Sequence, residues 1–513
     1  GDPPSGPDDP QFGGPTAATW ASQGYVVVEM AARGWGGSCG TPASRKGAAA
    51  ACKHGYIHLD DYRYEARDVQ YVTGLLVDEG IVDPHRIGVT GESYGGGVTL
   101  ELATLKDRVM LPNGKLTPWR SPDGTPLRIA AAAPFATWSD LVYALAPNGR
   151  TTDSAITSTT ADLSPVGVMK TSIMSGLYLV GTESGHFATP GSDPEADVTK
   201  WYALVLAGEP YTLPQDKKMV QEIAQYRSPY YLLAGAYGMK REAPAPVFLA
   251  NGFTDDVFPV DESLRYLNYV RKYYPNNPIG AFFYDGGHQR GNNKAADGEL
   301  LHQRIDAFFA HYVKGEKAMP WMGVTALTQT CPTTAPSRGP YHAATWAQLH
   351  PRSVTHTFVG TKTVLSVGGN PAISKTFDPV FGGLACTTAP SKNQGPGIAT
   401  YDLPVTQTFT LLGAPSITAT VKATGVSPYV AARLLDVDPA TKKETLIARG
   451  TYRFTGPGPA SAWSFQLHPA GWQFAKGHVV RLELLGEDTP YTRPANGAFT
   501  LRVSDLRLRL PVR

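Results

Sequence analysis

From residue 17 to about 320, short apolar runs alternate with amphipathic helical stretches, and beyond that point the helices stop. No other feature of the chain limits its fold so tightly. Strands alternating with helices build a parallel sheet covered on both faces. The predicted strands are Tyr25–Met30, Arg86–Thr90, Leu127–Pro134, Pro246–Ala250 and Ile279–Tyr284, with helices over Asp60–Asp78, Val98–Leu105, Asp261–Tyr273 and Glu299–His311. Between Trp138 and Ala236 the alternation breaks into a long, mostly helical insertion. An insertion between two strands of a parallel sheet sits at the loop-bearing edge, so it reads as a cap over a site. After about residue 322, Gly, Pro and Thr punctuate short alternating runs such as Ser416–Val421 and Val479–Leu485, the pattern of a jelly-roll β-sandwich. The expected organisation is an α/β domain over 1–320 with a cap at about 139–236, then an all-β domain over 321–513.

The charge balance removes whole classes of partner. Lys and Arg number 46 against 44 Asp and Glu, a net charge of +2, so no strong field exists to hold nucleic acid or an acidic membrane. No uncharged apolar run approaches the ~20 residues that span a bilayer. The four cysteines fall as two local pairs, Cys39 with Cys52 and Cys331 with Cys386, without a C-x-x-C motif. Two disulfides in a secreted protein fit that even count, and four free thiols in a cytoplasmic one are the alternative. Residue 1 is Gly, and no basic-plus-apolar leader follows.

G-x-S-x-G occurs twice, as Gly36-Gly-Ser38-Cys-Gly40 and Gly91-Glu-Ser93-Tyr-Gly95. A nucleophile elbow needs a strand leading in and a helix leading out, with small residues around a strained serine. Ser93 has both flanks. Ser38 is followed by Thr41-Pro42 and a loop, so it reads as a turn residue. A serine nucleophile needs a near-neutral base and a carboxylate to orient that base, in the chain order Ser, acid, His. His288 follows the strand Ile279–Tyr284 through Asp285-Gly-Gly, which projects its ring over the strand ends. The acid should follow Pro246–Ala250, where Asp255 and Asp256 stand side by side. Asp255 is the better orienting group, and Asp256 fits a helix N-cap. Phe135 and Trp138, with Trp201 and Tyr202, are candidate pocket residues. No H-E-x-x-H or clustered Asp/Asn loop indicates a metal, and no cofactor is implied.

Gly91-Glu-Ser-Tyr-Gly-Gly, Gly252-Phe-Thr-Asp255, Gly286-Gly-His288 and the loop Arg33-Gly-Trp-Gly-Gly-Ser38-Cys-Gly40 together resemble the cocaine-esterase and X-prolyl dipeptidyl peptidase superfamily. The resemblance implies an α/β-hydrolase with a helical cap and a jelly-roll tail. It also implies cleavage of small esters, amides or short peptides through an acyl-enzyme. The oxyanion would be met by the Tyr94 N–H and by a tyrosine hydroxyl from an upstream loop that no residue here matches. Glu183 and Asp193 are the cap carboxylates available for a substrate amine. The same likeness leads to the expectation that an upstream segment of the protein, carrying earlier strands, belongs with this chain as a partner. The competing reading is a non-catalytic or carbohydrate-binding protein whose β-domain carries the function.

Overall fold

The structure is a computed structural model and describes residues 16–149, 166–288 and 290–513. Its central sheet runs in the order Ile87–Glu92, Ile129–Phe135, Val247–Gly252, Ile279–Tyr284, Val324–Thr328 and Arg338–Ala343. The first five strands are parallel and the last is antiparallel. Val247–Gly252 and Ile279–Tyr284 are buried at every position, which is why they read as unbroken apolar runs rather than alternating ones. Helices Ser93–Leu105 and Asp261–Tyr273 cover one face through Leu100, Leu264 and Leu267. Helix Ala295–Tyr312 covers the other through Leu301, Ile305 and Phe308.

Three expectations need correction. Tyr25–Met30 forms no ladder, and Val26 is 61% exposed and Val28 52%. A strand exists only where a neighbour takes its backbone groups. Among the described residues, the nearest edge strand, Ile87–Glu92, pairs with Ile129–Phe135 alone. Tyr25 and Val27 instead pack inward beside Trp20 and Phe309. The helix expected from Asp60 begins at Glu65, because Glu65 turns back to accept the backbone N–H groups of His58 and Asp61 at 2.8 and 3.1 Å. The first sheet also continues past Pro320, since Val324–Thr328 and Arg338–Ala343 extend it.

The cap comprises helices Leu141–Leu145, Thr171–Ser184, Val198–Ala207, Pro214–Arg227 and Pro229–Ala234. The later residues build two antiparallel sheets of five and six strands on a shared core that includes Leu434, Phe465, Leu482 and Leu506. This is the expected β-sandwich. Both predicted disulfides form, Cys39–Cys52 and Cys331–Cys386. Among the described residues, no helix is long and apolar enough to cross a membrane.

Candidate active site

Strand Ile87–Glu92 runs directly into helix Ser93–Leu105, and Ser93 stands at the junction with φ at 51°. A non-glycine residue there is strained, and the surroundings must hold it. Thr137 does so by donating its hydroxyl to the Ser93 carbonyl at 3.0 Å. Gly91 is required for the same turn, because a Cβ there would lie 2.5 Å from the Gly95 carbonyl oxygen.

Two further loops deliver their side chains to Ser93. His288 Nε2 lies 2.9 Å from Ser93 Oγ, and His288 Nδ1 lies 2.8 Å from Asp255 Oδ2. The other Asp255 oxygen accepts the N–H groups of Val257 and Phe258, both at 2.9 Å, so the carboxylate cannot rotate away. The histidine loop is braced by Asn293, which accepts from the Gly287 N–H and donates to the Gly287 carbonyl, each at 2.9 Å. Burial alone would lower the pKa of the His288 imidazole. The charge and hydrogen bond of Asp255 more than offset that and leave it above the ordinary value of 6.5.

Asp256 departs from its expected role. The next helix begins at Asp261 with Val260 at its cap position. Asp256 instead receives a forked pair from Arg290, at 2.8 and 3.2 Å, with both side chains buried. Arg449 of the β-sandwich stands 3.8 Å away. Lys170 of the cap, also buried, donates to the Asp256 and Val257 carbonyls at 2.8 and 3.1 Å. Burial pushes the Asp256 carboxyl up, but the two guanidinium groups outweigh it and hold it below the usual carboxylate range. The acid loop is therefore tied to the histidine loop, the cap and the second domain at once. Sequence reasoning missed all three cations. Arg290 sits two residues past His288, so its proximity was readable, whereas nothing in the chain marks Lys170 or Arg449.

A cavity of about 930 Å3 has Ser93 and Tyr94 in its wall. One stretch follows strand Ile87–Glu92, past Val26, Val28 and Val69, and the other lies beneath the cap. Trp138, Trp201 and Tyr202 line it, but Phe135 does not. Phe135 faces the opposite side of the sheet, in the core with Phe248 and Phe309. Glu183 and Asp193 lie outside the cavity wall, and Asp193 accepts the Tyr56 hydroxyl at 2.5 Å. The Tyr94 side chain is fixed behind Ser93, accepting from the Asp60 N–H at 3.1 Å.

Residues 326–508 match the family described as the X-Pro dipeptidyl-peptidase C-terminal non-catalytic domain, and residues 15–113 match the acetyl xylan esterase family AXE1. Among solved structures, the chain is similar to an α-amino acid ester hydrolase at 14% identity and a TM-score of 0.56, covering 88% of this chain and 80% of that one. A CocE/NonD family hydrolase from Staphylococcus aureus aligns at 12% identity and a TM-score of 0.58, covering 98% and 82%. An aminopeptidase from a marine sediment Thaumarchaeota archaeon aligns at 11% and 0.58, covering 88% and 80%. At these identities the likeness establishes the fold, an α/β-hydrolase domain followed by a β-domain. The family matches over residues 15–113 and 326–508 agree with the resemblance that the sequence motifs carry.

Proposed function

We propose that this chain is a serine hydrolase that cleaves carboxylic esters or amides through an acyl-enzyme on Ser93. One observation carries the reading: a serine at φ 51° on a strand-to-helix turn, linked at 2.9 and 2.8 Å through one imidazole to one buried carboxylate. As Ser93 Oγ bonds to the substrate carbonyl carbon, its proton passes to His288 Nε2. Asp255 keeps the ring in the tautomer whose Nε2 can accept that proton, and it stabilises the imidazolium. The oxyanion forms beside the Tyr94 N–H, in the first turn of the helix. Collapse breaks the bond to the leaving alcohol or amine, which takes the proton from His288. A water then gives its proton to His288 and its oxygen to the acyl carbon, and the acid leaves as Ser93 regains its hydrogen. The matched families and structural neighbours, ester hydrolases and a peptidase, support the same chemistry. The two disulfides support an oxidising, extracytoplasmic setting.

A fluorophosphonate probe tests the assignment. Peptide mapping should place the label on Ser93, and Ser93→Ala should remove it. Label retained after that substitution would take the nucleophile role away from Ser93.

A further inference from the structure

Beneath the cap, the wall of the cavity beyond Ser93 is carbon. Trp138, Leu141 and Leu145 form one side, and Met174, Trp201 and Val205 the other. Trp138, Tyr178 and Tyr202 have their polar atoms committed elsewhere. The Trp138 indole N–H donates to the Arg227 carbonyl at 2.8 Å. Phe187, Tyr178 and Tyr202 stack at centroid distances of 5.1 and 4.2 Å, with interplanar angles of 7° and 8°. The Tyr178 hydroxyl donates to Thr199 Oγ1 at 3.1 Å, and the Tyr202 hydroxyl shares a 2.9 Å hydrogen bond with Ser175. The tyrosines thus offer ring carbon to the cavity.

Glu65 is the carboxylate in the described wall beside Tyr94, and its oxygens are already used. They accept the His58 and Asp61 N–H groups and the Tyr94 hydroxyl. Burial, reinforced by the Asp61 charge, pushes this carboxyl up to about 7, so part of its population is neutral at physiological pH. An α-ammonium on the acyl group would lose its water and, among the described residues of the wall, gain no unengaged anion in return, which is costly in an apolar site.

Resting on the serine-hydrolase reading, we propose that the space beneath the cap is the acyl pocket. It takes an uncharged apolar acyl group of medium length, such as octanoyl or phenylpropanoyl, in preference to acetyl and to α-amino acyl groups. The whole cavity, of which this space is one stretch, lies at about 930 Å3 within the range that buries a drug-sized ligand, roughly 300–1,000 Å3.

The test uses the full chain and p-nitrophenyl esters of acetate, butyrate and octanoate, together with the 3-phenylpropanoyl and L-phenylalanyl esters, which differ only in the α-ammonium. Burial of each methylene should raise kcat/KM by up to about threefold to fourfold. The octanoate ester should therefore exceed the acetate ester by well over tenfold. The phenylpropanoyl ester should exceed the phenylalanyl ester at least tenfold. Leu145→Trp and Met174→Trp, which shorten the space, should lower the octanoate-to-acetate ratio at least tenfold, and the wild-type series decides alone if either fails to fold. A flat or falling chain-length series, or a better phenylalanyl ester, would overturn the proposal while leaving the nucleophile intact. The same holds if Ser93 takes the fluorophosphonate label but none of these esters turns over. A chain that neither labels nor turns over any ester would instead strike down the serine-hydrolase reading itself, and this one with it.

Discussion

Asp255 and Asp256 are adjacent carboxylates, and their neighbours give them different work. Asp255 spends its oxygens on the His288 ring and two backbone amides, whereas Asp256 neutralises buried arginines. Asp255→Asn should lower kcat by about 10⁴, as loss of the orienting carboxylate does in serine proteases. It should also move the acid limb of kcat/KM. His288 must be neutral to take the Ser93 proton. In the wild type, activity is therefore gained as pH rises through a value above 6.5, and without the carboxylate that limb shifts to lower pH. Asp256→Asn leaves Arg290 buried without its charge partner, a change that typically costs about 3–5 kcal/mol. It should appear in denaturant melts before it appears in the pH profile. The meeting of Ser93, Asp255 and His288 was legible because each follows a strand through a small-residue turn, a local signal. The role of Asp256 was not, since a partner at Arg449 leaves no trace in the chain around it.

At the scale of elements, the turns that aim side chains are set by close backbone approaches. Gly287 has φ 146°, and a Cβ there would lie 2.6 Å from the Asp255 backbone. Gly287→Ala must push the histidine loop away from the acid loop. A displacement near 1 Å can cost about 10² in rate, so kcat should fall at least that far, while circular dichroism keeps its native signature. The strands from Ile87 to Tyr284 were readable to within two or three residues, and for the inner three, from Ile129 on, burial on both faces demands unbroken apolar runs. Tyr25–Met30 shows why the same logic fails elsewhere. Its Tyr-Val-Val-Val composition favours a strand, but pairing is a property of the neighbour, which composition does not report. Val324–Thr328 failed in the opposite way: its residues alternate little, and its place in the first sheet is fixed by its contact with Ile279–Tyr284.

In the molecule as a whole, the β-sandwich is joined to the loop that carries Asp255 and Asp256 rather than merely appended. Besides Arg449, His468 meets Asp261 at 2.7 Å, and the Gln329 N–H donates to the Gly471 carbonyl at 2.9 Å. Arg449→Met keeps the bulk of the side chain and removes its charge. It should reduce kcat about tenfold or more with KM within about twofold, and Arg449→Lys should restore part of the loss. Unchanged kinetics would show that the second domain only props the first. None of these cross-domain contacts was readable from sequence, because each joins residues brought together by the packing of two separately patterned halves. Among the described residues, strand Ile87–Glu92 pairs on one side alone, with Val26, Val28 and Met30 exposed nearby, and this has a practical consequence for whoever handles this protein. Open ladder groups beside apolar side chains are where solutions begin to cloud. Concentrated stocks should show concentration-dependent self-association in sedimentation velocity. Val28→Lys, a single charge near that strand, should lengthen their shelf life.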